Sequence, residues 1–346
     1  MIVFSKSSGN VNAQIGKLET PIKMAIEHES DKCIKNDKIR KELFNVLKSN
    51  KFGETIVGQT EFEVFKAALE GAGAENDTIE ETYKKFIEHI QYMKEFTITA
   101  EMMEDANYGL AASGKLRAEN FTRAYYKTMT QVCTKALING TKNNFKYANA
   151  TVDTTVFDGL PLFHKAHKLT ATKAEGKTQC NRFCAEGLDD PAKILTVLGE
   201  LAVKMRNFTN EQGDEQLGYI ADIIILPGNQ AKEEIAFKTA LGSERTAGSN
   251  INDTNIQFGN WSIVVLPEWQ ADKPEFMIMS SEANKQLQGN LFFNRVPLTI
   301  NNWVDHHTGN YIWNGRCRFG VGFGTYKHIM LCEQGEDVDG CVAITA

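Results

Sequence analysis

Four residues in one stretch have the types and spacing that could hold a metal ion: His164, His167, Cys180 and Cys184, in the pattern H-x2-H-x12-C-x3-C. Two imidazoles and two thiolates are a zinc donor set, here in the reverse of the usual cysteine-first order. Zinc needs all four donors to converge at about 2.0–2.3 Å, so the residues between His167 and Cys180 would have to fold back on themselves. A zinc-binding module or zinc enzyme is one reading of the cluster, and turn formation with packing is the default for the same residues. Other reactive-looking groups have structural explanations. Asp189 and Asp190 resemble a carboxylate pair, but Asp190 precedes Pro191 at the start of a helix and serves as its cap. His306 and His307 fall in a turn. The sequence holds no Gly-rich phosphate loop, no G-x-S-x-G elbow and no H-E-x-x-H. No catalytic residue and no cofactor is therefore assigned.

The elements around the cluster have stronger signals. Residues 99–139 contain no proline, and Phe121, Tyr125, Met129, Val132, Ala136 and Leu137 recur at spacings of three and four. Thr99 can cap this helix, Glu101, Glu104 and Asp105 suit its first turns, Gly109 and Gly114 allow a break near 109–115, and Gly140 supplies the stop. Unbroken, it is a rod of about 60 Å, a spine rather than a small-domain helix. After the Thr-, Lys-, Asn- and Gly-rich residues 141–188, α/β texture returns. A helix runs from Pro191 to about Phe208, a strand from Tyr219 to Leu226, a helix over 229–241, a loop over 242–256, and strands over Trp261–Leu266 and Phe276–Met279. Residues 298–331 read as β with turns at 307–310 and 314–315. Between Arg318 and Tyr326 glycines alternate with larger residues, which fits a sheet packed closely on another backbone.

Upstream, residues 1–20 read as an extended arm, followed by short helices at Ile22–Glu29 and Asp37–Lys48 that must lean on something larger. Glu61–Phe65 alternates briefly, and Phe86, Ile90, Tyr92, Phe96 and Ile98 fall on one face of a half-buried strand. Between the two runs, Glu70, Glu75, Asp77, Glu80 and Glu81 form an acidic tip with no base. Residues 56–98 thus read as a long hairpin, and a lone hairpin is marginal in water.

The composition, 42% hydrophobic and 24% charged over 346 residues, is that of a folded chain, and a net charge of -6 argues against a dedicated nucleic-acid binder. Residues 1–51 nevertheless hold ten Lys and Arg against six Asp and Glu, making a basic arm on an acidic body. Seven irregularly spaced cysteines, with no secretory segment, point to a reducing compartment and free thiols. No run of 18 apolar residues offers a membrane span.

In order, a basic arm, a hairpin ending in EFTITAEMMEDANYG, a spine helix, FDGLPLFHKAHK with Asn181, and an α/β part with IIILPGNQ and INDTNIQFGNWSIVVLPEW are found. From about residue 55 to 331 this resembles the major capsid protein of tailed bacteriophages, of the Mu-like type. The resemblance implies an α+β fold with an N-terminal arm over 1–55, an extended hairpin loop over 56–98, and a peripheral domain with spine helix over 99–188. An axial domain over 189–296 follows, and residues 297–346 supply return strands and a tail. It also implies a non-catalytic subunit that assembles into hexamers and pentamers of an icosahedral shell. Such a shell is built in the bacterial cytoplasm, encloses double-stranded DNA by non-specific proximity, and is served by a portal and by scaffolding or cementing proteins. Only about 55 residues precede the hairpin, which implies a separate scaffold or none. Asp158-Gly159, Phe163, His167 and Asn181 match the family's D-G…F…H…N pattern as loop-shaping and contact residues. By charge, Glu75, Asp77, Glu80 and Glu81 are candidates to meet a neighbour's basic arm. An encapsulin-like nanocompartment of the same fold is the alternative, in a different functional class.

Overall fold

A computed structural model describes residues 3–4, 13–59, 67, 73, 81–99, 101, 110–245, 254–335 and 341–344. The apolar spacing of three and four becomes a helix at Leu110–Ile138, and Gly114 lies inside it without a break. Phe121, Met129, Val132, Ala136 and Leu137 are buried as the spacing requires. Glu101 is helical, and 102–109 lie outside the described residues. Beside the spine runs a helix at Ala13–Asn36, where an extended arm to residue 20 and a short helix at Ile22–Glu29 were expected. The difference is tertiary. Ile22, Ala25 and Ile26 pack on Ala118 and Phe121 of the spine and on Ile98, Leu298, Ile300 and Trp313. Arg123 reaches Glu29 at 2.5 Å, and the Ser30 and Tyr126 hydroxyls meet at 2.6 Å. These contacts hold the helix from Ile22 onward.

The second short helix stops at Leu43, under an Asp37 cap, and Asn45–Lys48 is instead a strand parallel to Asn290–Val304. Its expected helical continuation to Lys48 gives way because the long strand offers an unpaired edge. Asn290–Val304 pairs antiparallel with Tyr311–Phe323, which pairs with Ile90–Ile98, while Val3–Phe4 also joins the Asn290–Val304 strand. The expected turn at Asn314-Gly315 falls in mid-strand. A Cβ at Gly315 would lie 2.3 Å from the Phe121 ring, so this glycine admits the spine to the sheet. The glycine alternation that follows has the same cause, since a Cβ at Gly320 would lie 2.8 Å from the Glu88 carbonyl oxygen.

The hairpin pairs Gly53–Gln59 with Glu81–Glu88; Glu61–Phe65, Glu70, Glu75, Asp77 and Glu80 lie outside the described residues. Its second strand does not share one face with Ile90–Ile98. Lys85, Ile87 and His89 are buried while Phe86 is 51% exposed, so the alternation changes phase at His89. Ile87 and Ile56 close on Leu291 and Phe293, whereas Ile98 turns toward the spine. The hairpin's base is held by its own chain. Lys85 Nζ lies 2.5 Å from Asp153 and 2.6 Å from Thr155, and the Tyr83 ring stacks on Phe157 at 4.0 Å.

A second, six-stranded sheet has the order Ser262–Leu266, Ile223–Pro227, Glu275–Met279, Ile329–Gln334, Arg182–Ala185, Val342–Ala343. Arg182–Ala185 and Ile329–Gln334, expected with the spine-bearing part, belong here by their mutual pairing. Helices Pro191–Arg206 and Ala231–Leu241 bury Ile194, Leu198, Leu201, Phe237 and Leu241 in the same core, and Asp190 caps the first by accepting from the Ala192 N–H at 3.0 Å. Val342–Ala343 brings Cys341 to Cys184, and the two form a disulfide with Cα atoms 5.8 Å apart. Free thiols were expected throughout; adjacent strands in register overturn that for this pair.

Glu275 stands directly across from Glu333 on the neighbouring strand. Burial pushes its pKa up to about 7, and the charge of Glu333 adds to the rise, against a hydrogen bond from Trp269 Nε1 at 2.8 Å and the charge of Arg182. The folded-state value thus exceeds the ordinary 4.5, so the contribution is complete below pH 4.5 and is lost as pH rises toward 7. Denaturant unfolding at a series of pH values should show that decline in the parent chain and a flatter profile in Glu275→Gln; superimposable profiles would show that Glu275 ionises freely.

Candidate functional site

The segment FDGLPLFHKAHK folds into a turn that buries the side chains of Asp158 and His167 and leaves Lys165 and Lys168 exposed. Asp158 Oδ1 accepts from the Leu160 N–H at 3.0 Å, and Gly159 takes φ +75°, a conformation that suits a residue without Cβ. Asp158 Oδ2 then lies 2.8 Å from His167 Nδ1 and accepts from the Lys168 N–H at 3.3 Å. Burial alone would raise the Asp158 pKa, but the His167 bond and charge with these two N–H groups outweigh it and hold the carboxyl below its usual value. The His167 ring lies flat on Tyr326 at 3.9 Å, and its Nε2 faces the Leu162 carbonyl at 3.3 Å.

Asn181 completes the cluster. Its Oδ1 accepts from the His164 N–H at 2.9 Å, and its Nδ2 donates to Leu162 O at 2.7 Å and Ile329 O at 3.3 Å. One fully buried amide thereby joins the turn to the six-stranded sheet. Phe163 closes against the end of the spine, where a Cβ at Gly140 would come within 2.7 Å of its ring. A second buried pair backs the cluster: Lys327 Nζ meets Glu211 at 2.6 Å, and Glu211 also accepts from the Thr170 N–H and hydroxyl.

This geometry bears on two readings of the sequence. The zinc arrangement does not form, because Cys184 is bonded to Cys341, Cys180 donates to Arg182 O at 3.1 Å, and His164 Nδ1 accepts from the Ala166 N–H at 3.1 Å. Among the described residues no three His, Cys, Asp or Glu side chains are arranged to hold a metal. The side chains of Asp158, Phe163, His167 and Asn181, expected at subunit contacts, face inward and are shielded by their own chain. Their loop-shaping part is what the geometry displays. Of the acidic contact candidates only Glu81 is described; it is exposed and pairs with Lys84 at 3.0 Å. Sequence reasoning missed Tyr326, Glu211 and Lys327, which no spacing marks.

What the surface presents instead is apolar. Phe52, Val57 and Phe86 are exposed along the hairpin, Met24 and Leu116 on the paired helices, and Ile220, Ile235 and Ile256 around the six-stranded sheet.

No family model and no curated protein sequence matches the chain. Among solved structures it is similar to the capsid of the cyanophage P-SCSP1u, with a TM-score of 0.51 at 12% identity over 86% of this chain and 88% of that one. It has the tailed-phage major capsid fold. Weaker likenesses include the procapsid of bacteriophage JBD30 (TM-score 0.48, 11% identity, 95% of this chain and 77% of that one) and the virus-like particle from Pyrococcus furiosus (TM-score 0.49, 10% identity, 92% and 99%). In this capsid fold the Asp158, His167 and Asn181 cluster sits where the turn after the spine meets the six-stranded sheet.

Replacing Asn181 by Ala removes the partner of the His164 N–H and one partner each of the Leu162 and Ile329 carbonyls, and should cost about 2–4 kcal/mol. Urea unfolding measures it. A loss below about 0.5 kcal/mol would mean that the cluster merely fills space.

Proposed function

We propose that the chain is the structural subunit of an icosahedral phage head, assembling with copies of itself into hexamers and pentamers around double-stranded DNA. The observation that carries this is the fold shared with the cyanophage capsid over 86% of the chain. The exposed apolar residues on the hairpin and paired helices support it, because they offer a neighbour something to cover. In this reading residues 1–55 act as an arm, 56–98 as the reaching loop, the spine with the sheet built on Asn290–Val304 as the peripheral part, and the six-stranded sheet with its helices, including Arg182–Ala185, Ile329–Gln334 and Val342–Ala343, as the axial part at capsomer centres. Its work is association, with no reaction assigned. The net charge of -6 suits a container, since a cationic wall would grip the genome by counterion release. No described helix is long and apolar enough to cross a membrane. A portal, scaffolding or cementing proteins and assembly in the bacterial cytoplasm belong to the same proposal.

Negative-stain electron microscopy with light scattering on the recombinant chain, alone and with its co-expressed neighbours, should show shells, capsomers or tubes tens of nanometres across. A strictly monomeric or dimeric protein in both conditions would sink the proposal. Shells that co-purify with a docked enzyme in place of portal and DNA would identify a compartment of the same fold.

The acidic tip and basic arm extend the proposal to one contact, with Glu75, Asp77, Glu80 and Glu81 meeting a neighbour's Lys- and Arg-rich residues. The double variant Glu80→Lys, Glu81→Lys should assemble in lower yield, most severely at low salt. Assembly equal to the parent across a salt series would remove the contact.

A further inference from the structure

The bond between Cys184 and Cys341 spans 157 positions of sequence and is no part of the shell proposal. Disulfides are rare in chains made under reducing conditions, so its presence asks when it closes. Its two ends are held unequally. Cys184 is fully buried in Arg182–Ala185, between Ile329–Gln334 and Val342–Ala343. Cys341 leads into Val342–Ala343, a two-residue strand at the sheet's edge whose register pairs are Phe183 with Val342 and Cys184 with Ala343. Cys341 and Ile344 are buried at its two ends and the Ile344 N–H donates to Cys184 O at 2.7 Å, while Val342 and Ala343 between them are exposed. A strand with so few bonds opens locally at little cost, and opening it frees Cys341 while Cys184 stays in place.

The other five cysteines, Cys33, Cys133, Cys180, Cys317 and Cys332, are thiols. Cys332 lies on the strand next to Cys184, but its register partner is Phe183, and burial drives its thiol far above the ordinary range. Burial likewise raises Cys180, and pushes Cys317 up to about 12. Cys341 immediately precedes the short edge strand Val342–Ala343.

We propose that Cys184 and Cys341 form a redox-controlled clasp, open while the chain is kept reduced and closed by exchange with a low-molecular-weight disulfide when the chain enters an oxidising medium. The Cys341 thiolate attacks one sulfur of the small disulfide RSSR, forming a mixed disulfide and expelling RS⁻, which takes up the proton Cys341 released. The Cys184 thiolate then attacks the Cys341 sulfur and expels the second thiolate, which is protonated in turn. Two protein thiols and one RSSR become one protein disulfide and two RSH. Closed, the clasp fixes the last strand on the six-stranded sheet and ties together residues far apart in sequence. The inference stands on the fold alone and holds whether or not the chain builds a shell.

The test uses the full chain, purified in reductant, desalted and divided, with one half exposed to oxidised glutathione. After denaturation and alkylation, mass spectrometry should count seven modified cysteines in the reduced half, matching the sequence. It should count two fewer in the oxidised half, with the Cys184 and Cys341 peptides joined. The oxidised half should melt about 5 °C or more higher, and dithiothreitol should return it to the lower value. Cys341→Ser, a change beside the edge strand, should count six modified cysteines in both halves, against seven and five in the parent, and melt at one temperature. Full alkylation of all cysteines after oxidation, a bond between a different pair, or a melting point unmoved by the joined pair would each overturn the clasp.

Discussion

A buried primary amide has four hydrogen-bonding positions to satisfy, and leaving any unpaired in a low-dielectric interior costs more than a formed bond returns. Asn181 fills three of them, one at Oδ1 and two at Nδ2, with groups from two distant stretches, the turn at Leu162–His164 and the strand start at Ile329. The six-stranded sheet is thereby tied to the turn that follows the spine. Asp158 and His167 shape the turn that presents those groups, and Tyr326 covers them. These residues carry the polar specificity of the fold, and the apolar core around them supplies bulk.

The other junction is made by leaving atoms out. Gly315 lets the Phe121 ring of the spine rest on the long strands, Gly320 brings the Glu88 carbonyl against them, and Gly140 gives Phe163 its place. At each the missing Cβ is occupied by a neighbour. Helix, hairpin and sheet thus approach more closely than ordinary side chains would permit, and the hairpin base gains a bed on its own chain.

Elements with a repeating apolar pattern were legible in the sequence: the spine from Phe121 onward, the capped helix from Pro191, and the strands ending at Pro227, Leu266 and Met279. Departures occur where distant residues decide. Asn45–Lys48 has helical spacing but meets an open strand edge, Asn314-Gly315 is turn chemistry spent on close approach, and Phe86 follows a phase that breaks at His89. The candidate site was half legible. Its members Asp158, His167 and Asn181 were singled out, but a His and Cys spacing cannot tell a metal cluster from a buried turn. Only strand register brings Cys341 to Cys184, and only the fold closes Tyr326 over His167.

The hairpin strand Glu81–Glu88 runs directly on into Ile90–Ile98, whose residues from Ile90 to Ile98 pair with Phe319 to Tyr311. Antiparallel hydrogen bonds lie across the strand axis. A pull on the hairpin along that axis is therefore carried in shear by the whole ladder at once, whereas a pull across it would peel one bond after another. Under load the hairpin would act as a tension strut, stiff lengthwise and compliant sideways, anchored in the sheet that packs on the first half of the spine.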